Sequence, residues 1–129
     1  MRILILDAAL GNNYCLVRFS SPFGYASGHW YGDAPEVGQS YDVEIDLPAF
    51  GSPDVTIRCL PNDQIKPTLC EVNGGVVLVG IFVPGPVPKT GAIHLGEWLV
   101  LCNGAPSDWT EGTPVQIDAR FITLYPYQL

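Results

Sequence analysis

Asp42, Glu44 and Asp46 stand at alternate positions in "SYDVEIDL", and they are the sharpest chemical feature of this sequence. Alternate side chains of an extended strand share one face, which sets neighbouring carboxylates about 6.6 Å apart along it. Like charges at that spacing repel modestly in water and invite a cation. Basic residues on neighbouring strands, the basic surface of a protein partner, or a metal ion would each answer. Arg18, Arg58 and Arg120 sit mid-strand in "LVRFS", "TIRCL" and "DARFI" and would neutralise the ridge internally if their strands lie beside it. Calcium ranks last, because its loop sites gather several oxygens around a glycine turn and that pattern is absent. Neither a metal centre nor a cofactor is expected.

A second group lies in "SPFGYASGHWYGD", Ser21 to Asp33, where Phe23, Tyr25, His29, Trp30 and Tyr31 are set among glycines and serines. Read as a long loop, this segment has two uses. Exposed rings anchor protein interfaces or stack bases; rings folded inward plug the open end of a barrel. The sequence leaves both open. Base stacking is the weaker binding option, since no lysine or arginine falls between Arg18 and Arg58. The net charge of −7, from thirteen carboxylates against six bases, also repels phosphate backbones and favours basic partners.

Support for catalysis is missing. His29 and His94 are the only histidines and neither belongs to a motif; His94, in an apolar run, reads as a hydrogen-bonded core residue. No nucleophile elbow, zinc helix or phosphate-cradling loop occurs. Cys15, Cys59, Cys70 and Cys102 lack the C-x-x-C spacing of zinc sites, and Cys59, Cys70 and Cys102, in apolar strand contexts, read as small hydrophobes. An enzyme would need a histidine to meet a thiol or carboxylate in three dimensions.

The elements that position these groups are strands. Twelve prolines and fourteen glycines are spread evenly, and no sustained helical repeat of apolar residues appears. Arg2–Asp7 and Tyr14–Ser20 are joined through Gly11–Asn13. They are followed by "SYDVEIDL", "VTIRCL", and "TLCEVNGGVVLVGIFV" with a hairpin at Asn73-Gly74. "AIHLGEWLVLC", broken at Gly96, and "VQIDARFITLY" complete the set. Between Val83 and Ala92, "PGPVPKTG" is a stiff turn that also has the composition of a proline-rich handle. The apolar run from Val76 to Cys102 is therefore two strands and a connector, and it does not cross a membrane. The expected fold is all-β, a single domain over 1–129. It is a small antiparallel, OB-like Greek-key barrel of about six to seven strands, or alternatively a two-sheet sandwich.

Asp7 cuts the run Ile3–Leu6 too short for an export signal, so the expected compartment is the cytoplasm, with reduced thiols. The function expected is non-enzymatic binding of a basic protein partner, in the manner of an inhibitor, immunity protein or adaptor. Phe23, Tyr25, Trp30 and Tyr31 would anchor the partner and Asp42, Glu44 and Asp46 would steer it. The alternative is a small ligand or single nucleic-acid strand held at the barrel mouth. Tyr125, Tyr127 and Leu129 have two uses open to them, packing inward or packing across a homodimer.

Overall fold

A computed structural model describes residues 1–11, 13–61 and 65–127. Asn12 of the first predicted turn and Leu129 of the candidate dimer contact fall outside the described residues. Eleven strands are present: β1 (Arg2–Leu10), β2 (Cys15–Ser21), β3 (Gly24–Trp30), β4 (Ser40–Asp46), β5 (Val55–Cys59), β6 (Thr68–Val72), β7 (Gly75–Pro84), β8 (Thr90–Leu95), β9 (Trp98–Asn103), β10 (Thr113–Ala119) and β11 (Thr123–Pro126). Among the described residues no helix is long and apolar enough to cross a membrane.

Five strands close on themselves in the order β1-β2-β3-β11-β4, with β4 returning to β1 through Arg2↔Asp42 and Leu4↔Ser40. This is a small all-β barrel with extra strands. Its contacts are antiparallel apart from β3 with β11. β5 to β10 are inserted in sequence between the last two barrel strands. They continue outward from β4 as β9-β8-β7-β10-β5, with β6 paired to β7.

Period-two patterning explains the barrel wall. Ile3 and Ile5, Val17 and Phe19, Val43 and Ile45 point inward from β1, β2 and β4, all at 1% exposure or less. They meet Trp30, Ile122 and Leu124, and the same buried cluster runs on through Leu78, Ile93, Val100 and Ile117 of the inserted sheet. Burying a side chain of this size contributes about 1.5–3 kcal/mol relative to leaving it exposed.

The hairpin at Asn73-Gly74 forms as predicted, both residues at positive φ (51° and 81°), the turn geometry that Asn-Gly tolerates at least cost. Inside β7, Gly80 is required by close approach. A Cβ there would collide with the His94 carbonyl and come within 2.7 Å of Ile93 Cγ2. The strand count exceeds the expected one for local reasons. "AIHLGEWLVLC" is a hairpin turning at Gly96 (φ 60°), with Leu95 opposite Trp98. "VQIDARFITLY" splits into β10 and β11 around Arg120–Ile122. The third addition is β3, which occupies most of the segment read above as an aromatic loop.

Candidate binding site

β4 has two different neighbours on one side. β1 pairs with its first residues, Ser40–Asp42, and Met1 extends that pairing by exchanging backbone bonds with Val43 (2.7 and 2.8 Å). β9 runs parallel to its last residues, Ile45 and Asp46. Where the neighbours part company, beside Glu44, a surface groove of about 540 Å³ opens. Asp42 and Glu44 form its floor with Val43. Glu97, from the β8–β9 turn, adds a third carboxylate, and Trp98, Leu99 and Tyr127 supply apolar walls.

The ridge on β4 is real, and its neutralisation differs from expectation. Arg2, across the β1–β4 pairing, approaches Asp42 at 3.4 Å with both side chains more than half exposed, an ion pair of small energetic weight. Arg120 instead pairs with Asp54 (3.8 Å), Arg58 donates to Gln116 Oε1 (2.9 Å), and Arg18 lies opposite Asp7 on the β1–β2 side. None of the three reaches the ridge, because β2, β5 and β10 are not neighbours of β4. Asp46 is held least comfortably. Burial, and secondarily the charge of Glu44, push its carboxyl above the usual carboxylate range. Its buried Oδ1 accepts no hydrogen bond from the described residues.

On the other flank, β11 places Tyr125 opposite Glu44 and Thr123 opposite Asp46, and the Tyr127 N–H donates to the Asp42 carbonyl (3.0 Å). Tyr31, 65% exposed, lies 5.0 Å from Tyr125 between ring centroids. The acidic stripe therefore has Tyr125, Tyr127 and Tyr31 along one side and Trp98, Leu99 and Leu101 along the other.

The predicted aromatic anchors separate. Trp30 is core, 4% exposed, its ring edge-on to Tyr41 (5.2 Å) and its Nε1 donating to the Asp33 carbonyl (2.8 Å). Phe23 packs against the core at the β2–β3 turn, beside Gly96, and its carbonyl accepts from the Leu69 N–H (3.2 Å). Tyr25 is exposed but six strand residues from Tyr31, about 20 Å away. Of the four, Tyr31 alone joins the ridge. The reason is register: β3 turns Trp30 toward the barrel interior, and only residues of opposite parity face out. A ligand beneath an aromatic loop loses its premise for the same reason.

Neither histidine is placed as expected. His94 sits on the outer, half-buried face of β8 and lines a second, apolar groove of about 460 Å³ with Val83, Pro86, Leu99 and Leu101. His29 is sandwiched between Tyr14 (4.1 Å) and Phe121 (4.9 Å), and burial holds its pKa below the ordinary value. All four cysteines are free, and burial pushes the Cys102 thiol up to about 11, a protonated and unreactive state at neutral pH. Among the described residues no three His, Cys, Asp or Glu side chains gather to hold a metal ion. The proline-rich connector is tied down: Gly85 and Thr90 bond across it, and the Lys89 carbonyl accepts from Gly104 and Ala105 at 2.7 and 3.0 Å.

Trp98, Leu99, Leu101 and Glu97 escaped the sequence reading because an unbroken apolar run looks covered on both faces. In β7 that holds, since its alternate residues are buried or half-buried; in β9, Leu99 and Leu101 face solvent at 46% and 41%. The parity of "EWLVLC" about the Gly96 turn was the signal available. Comparison with protein-family models, curated proteins and solved structures finds no match for this chain.

Proposed function

We propose that this protein is a non-enzymatic binding module whose acidic groove receives an extended, basic segment of a protein partner. One observation carries the reading. Three carboxylates, Asp42, Glu44 and Glu97, share a groove with Trp98, Leu99 and Tyr127; among the described residues the cations beside them are Arg2, largely solvated and paired with Asp42, and the Met1 ammonium, attracted by Asp42 and Glu44. Lysine and arginine side chains suit such a place, because their stems pack on apolar walls while their heads meet carboxylates. An arginine also stacks on aromatic rings. Leu99 and Leu101 belong to the neighbouring apolar groove as well, so a segment leaving the acidic floor continues onto an apolar track. The partner is accordingly a strand-like stretch that mixes basic and aliphatic residues, and Asp46 and Tyr31 extend its contact beyond the groove.

The test is a panel of labelled extended peptides, basic, neutral and acidic, titrated by fluorescence anisotropy against the wild type and an Asp42→Asn, Glu44→Gln, Glu97→Gln variant. Basic–aliphatic peptides should bind in preference to the others, and weaken as ionic strength rises. They should lose roughly tenfold in affinity to the variant, the sum of several exposed charge pairs. A Trp98→Phe variant should remove the accompanying change in tryptophan emission. Binding that ignores both peptide charge and the three carboxylates would overturn the proposal.

A further inference from the structure

The inserted sheet ends on β5, and among the described residues no strand pairs with its outer side. Pairing with β10 fixes which backbone groups face out. The Leu60 N–H donates to the Pro114 carbonyl and the Asp54 carbonyl accepts from the Arg120 N–H, both at 2.9 Å. In an antiparallel ladder, residues bonded to the neighbour alternate with residues that are not. Asp54, Thr56, Arg58 and Leu60 therefore turn their amides toward β10, whereas Val55, Ile57 and Cys59 turn theirs outward. The Val55 N–H is engaged by the Ser52 carbonyl (3.4 Å), which leaves both groups of Ile57 and Cys59 and the carbonyl of Val55 as a row without backbone partners among the described residues.

Such a row templates an added strand unless it is blunted. Pro53 and Pro61 flank β5 without interrupting it, and its one charge, Arg58, reaches back to Gln116. The outer edge of β1 at Asp7–Leu10 is protected differently, by a bulge between Ile5 and Asp7 and by the Asp7 charge.

We infer that β5 pairs antiparallel with β5 of a second copy of this chain, about a two-fold axis through Ile57. Outward groups recur at alternate residues, so only registers that set Val55, Ile57 and Cys59 against one another form bonds. The register centred on Ile57 engages all three from each copy, and any other engages fewer. In that register Ile57 meets Ile57 and Val55 meets the partner's Cys59. Val55 and Ile57 already lean on the core, so this apolar layer continues across the axis. On the opposite face Thr56 meets the partner's Arg58, and no like charges stand directly opposed. A surface that complements itself residue by residue is what an isologous dimer requires. The groove on β4 lies five strands away along the sheet and stays open. The charge of −7 on each copy opposes association at long range and is screened within about 8 Å at physiological salt.

Sedimentation equilibrium of the full chain tests this inference. The wild type should show a monomer–dimer equilibrium that tightens as ionic strength rises, opposite in sign to peptide binding in the groove. Thr56→Glu places a carboxylate against Arg58 twice per dimer and should lower Kd about three- to tenfold; Thr56→Lys should raise it by a similar factor. Thr56 is exposed but stands opposite Asp118 of β10, so Thr56→Glu should lower the unfolding midpoint slightly and Thr56→Lys raise it, the reverse of the order in which the two variants favour the dimer. Ile57→Pro removes an outward donor without removing a β10 bond and should abolish the dimer. The inference fails if the chain stays monomeric up to about 1 mM, a concentration at which even weak specific pairing shows. It fails equally if a dimer forms whose Kd ignores the sign of the charge at position 56, or if β5 takes up an unrelated extended peptide while the chain remains monomeric.

Discussion

β3 and β4 flank β11 on opposite sides and alternate inward and outward residues alike, yet the groups they contribute have opposite fates. On β4 the charged residues all share one parity, so Val43 and Ile45 enter the core and Asp42, Glu44 and Asp46 line the outside. On β3 aromatic residues occupy both parities; Tyr25 and His29 look outward, and Trp30 fills the barrel. A carboxylate has only one tolerable side of a strand, because burying it unpaired costs several kcal/mol. An aromatic ring is tolerated on either. Polarity therefore marks a face, and aromaticity marks only a place where something packs.

The sharpest way to break this comparison is to remove one ring of each kind. Trp30→Ala should cost about 3–5 kcal/mol in denaturant unfolding, as a large core ring lost to a cavity. Tyr31→Ala, one residue on and exposed, should stay within about 0.5 kcal/mol. Equal losses would mean that the two faces of β3 are not distinct.

A smaller effect sharpens the β4 side. Asp46 binds its proton more tightly in the folded than in the unfolded chain, so its charged form costs stability above the ordinary carboxyl value of 3.8. Asp46→Asn should therefore raise stability at pH 7, by no more than about 1 kcal/mol because solvent screens a half-exposed group. The gain should vanish in acid below 3.8, where both forms of the wild-type residue are protonated. Unfolding midpoints of the two proteins across that range would show it, and a loss of stability at neutral pH would mean that Asp46 has a partner. Smallest of all is the titration of His29, a base whose folded pKa lies below 6.5. Stability should decline as pH falls from 6.5 through that lower value, because the unfolded chain takes up the proton first. A His29→Gln variant should lack this slope between pH 7 and 5, with Tm as the readout.

Much of the fold was legible because it rests on local rules. "SYDVEIDL" states both its strand and its orientation, and Asn73-Gly74 states a turn that few other pairs make as readily. The candidate site was half legible. Asp42 and Glu44 were identified by parity, and Glu97, Trp98 and Leu99 were hidden in an apolar run where only the parity about the Gly96 turn separates the outer face from the inner one. Arg2 as the ridge's ion partner, in place of Arg18, Arg58 or Arg120, was not readable either, since any of four strands was free to lie beside β4 until the barrel closed.

By itself, then, the sequence determined the all-β class, the period-two pattern of plainly alternating strands such as β4, and the side of β4 that carries charge. These follow from proline and glycine chemistry, from pleat geometry and from the cost of burying a carboxylate. Tertiary structure alone decided which strands are neighbours. That choice put Trp98 and Tyr127 beside the acidic ridge, took Trp30 and Phe23 away from it, and left β5 at the end of the sheet. Pairing between distant segments depends on how the whole set of apolar faces can be buried together, and no single segment carries that information.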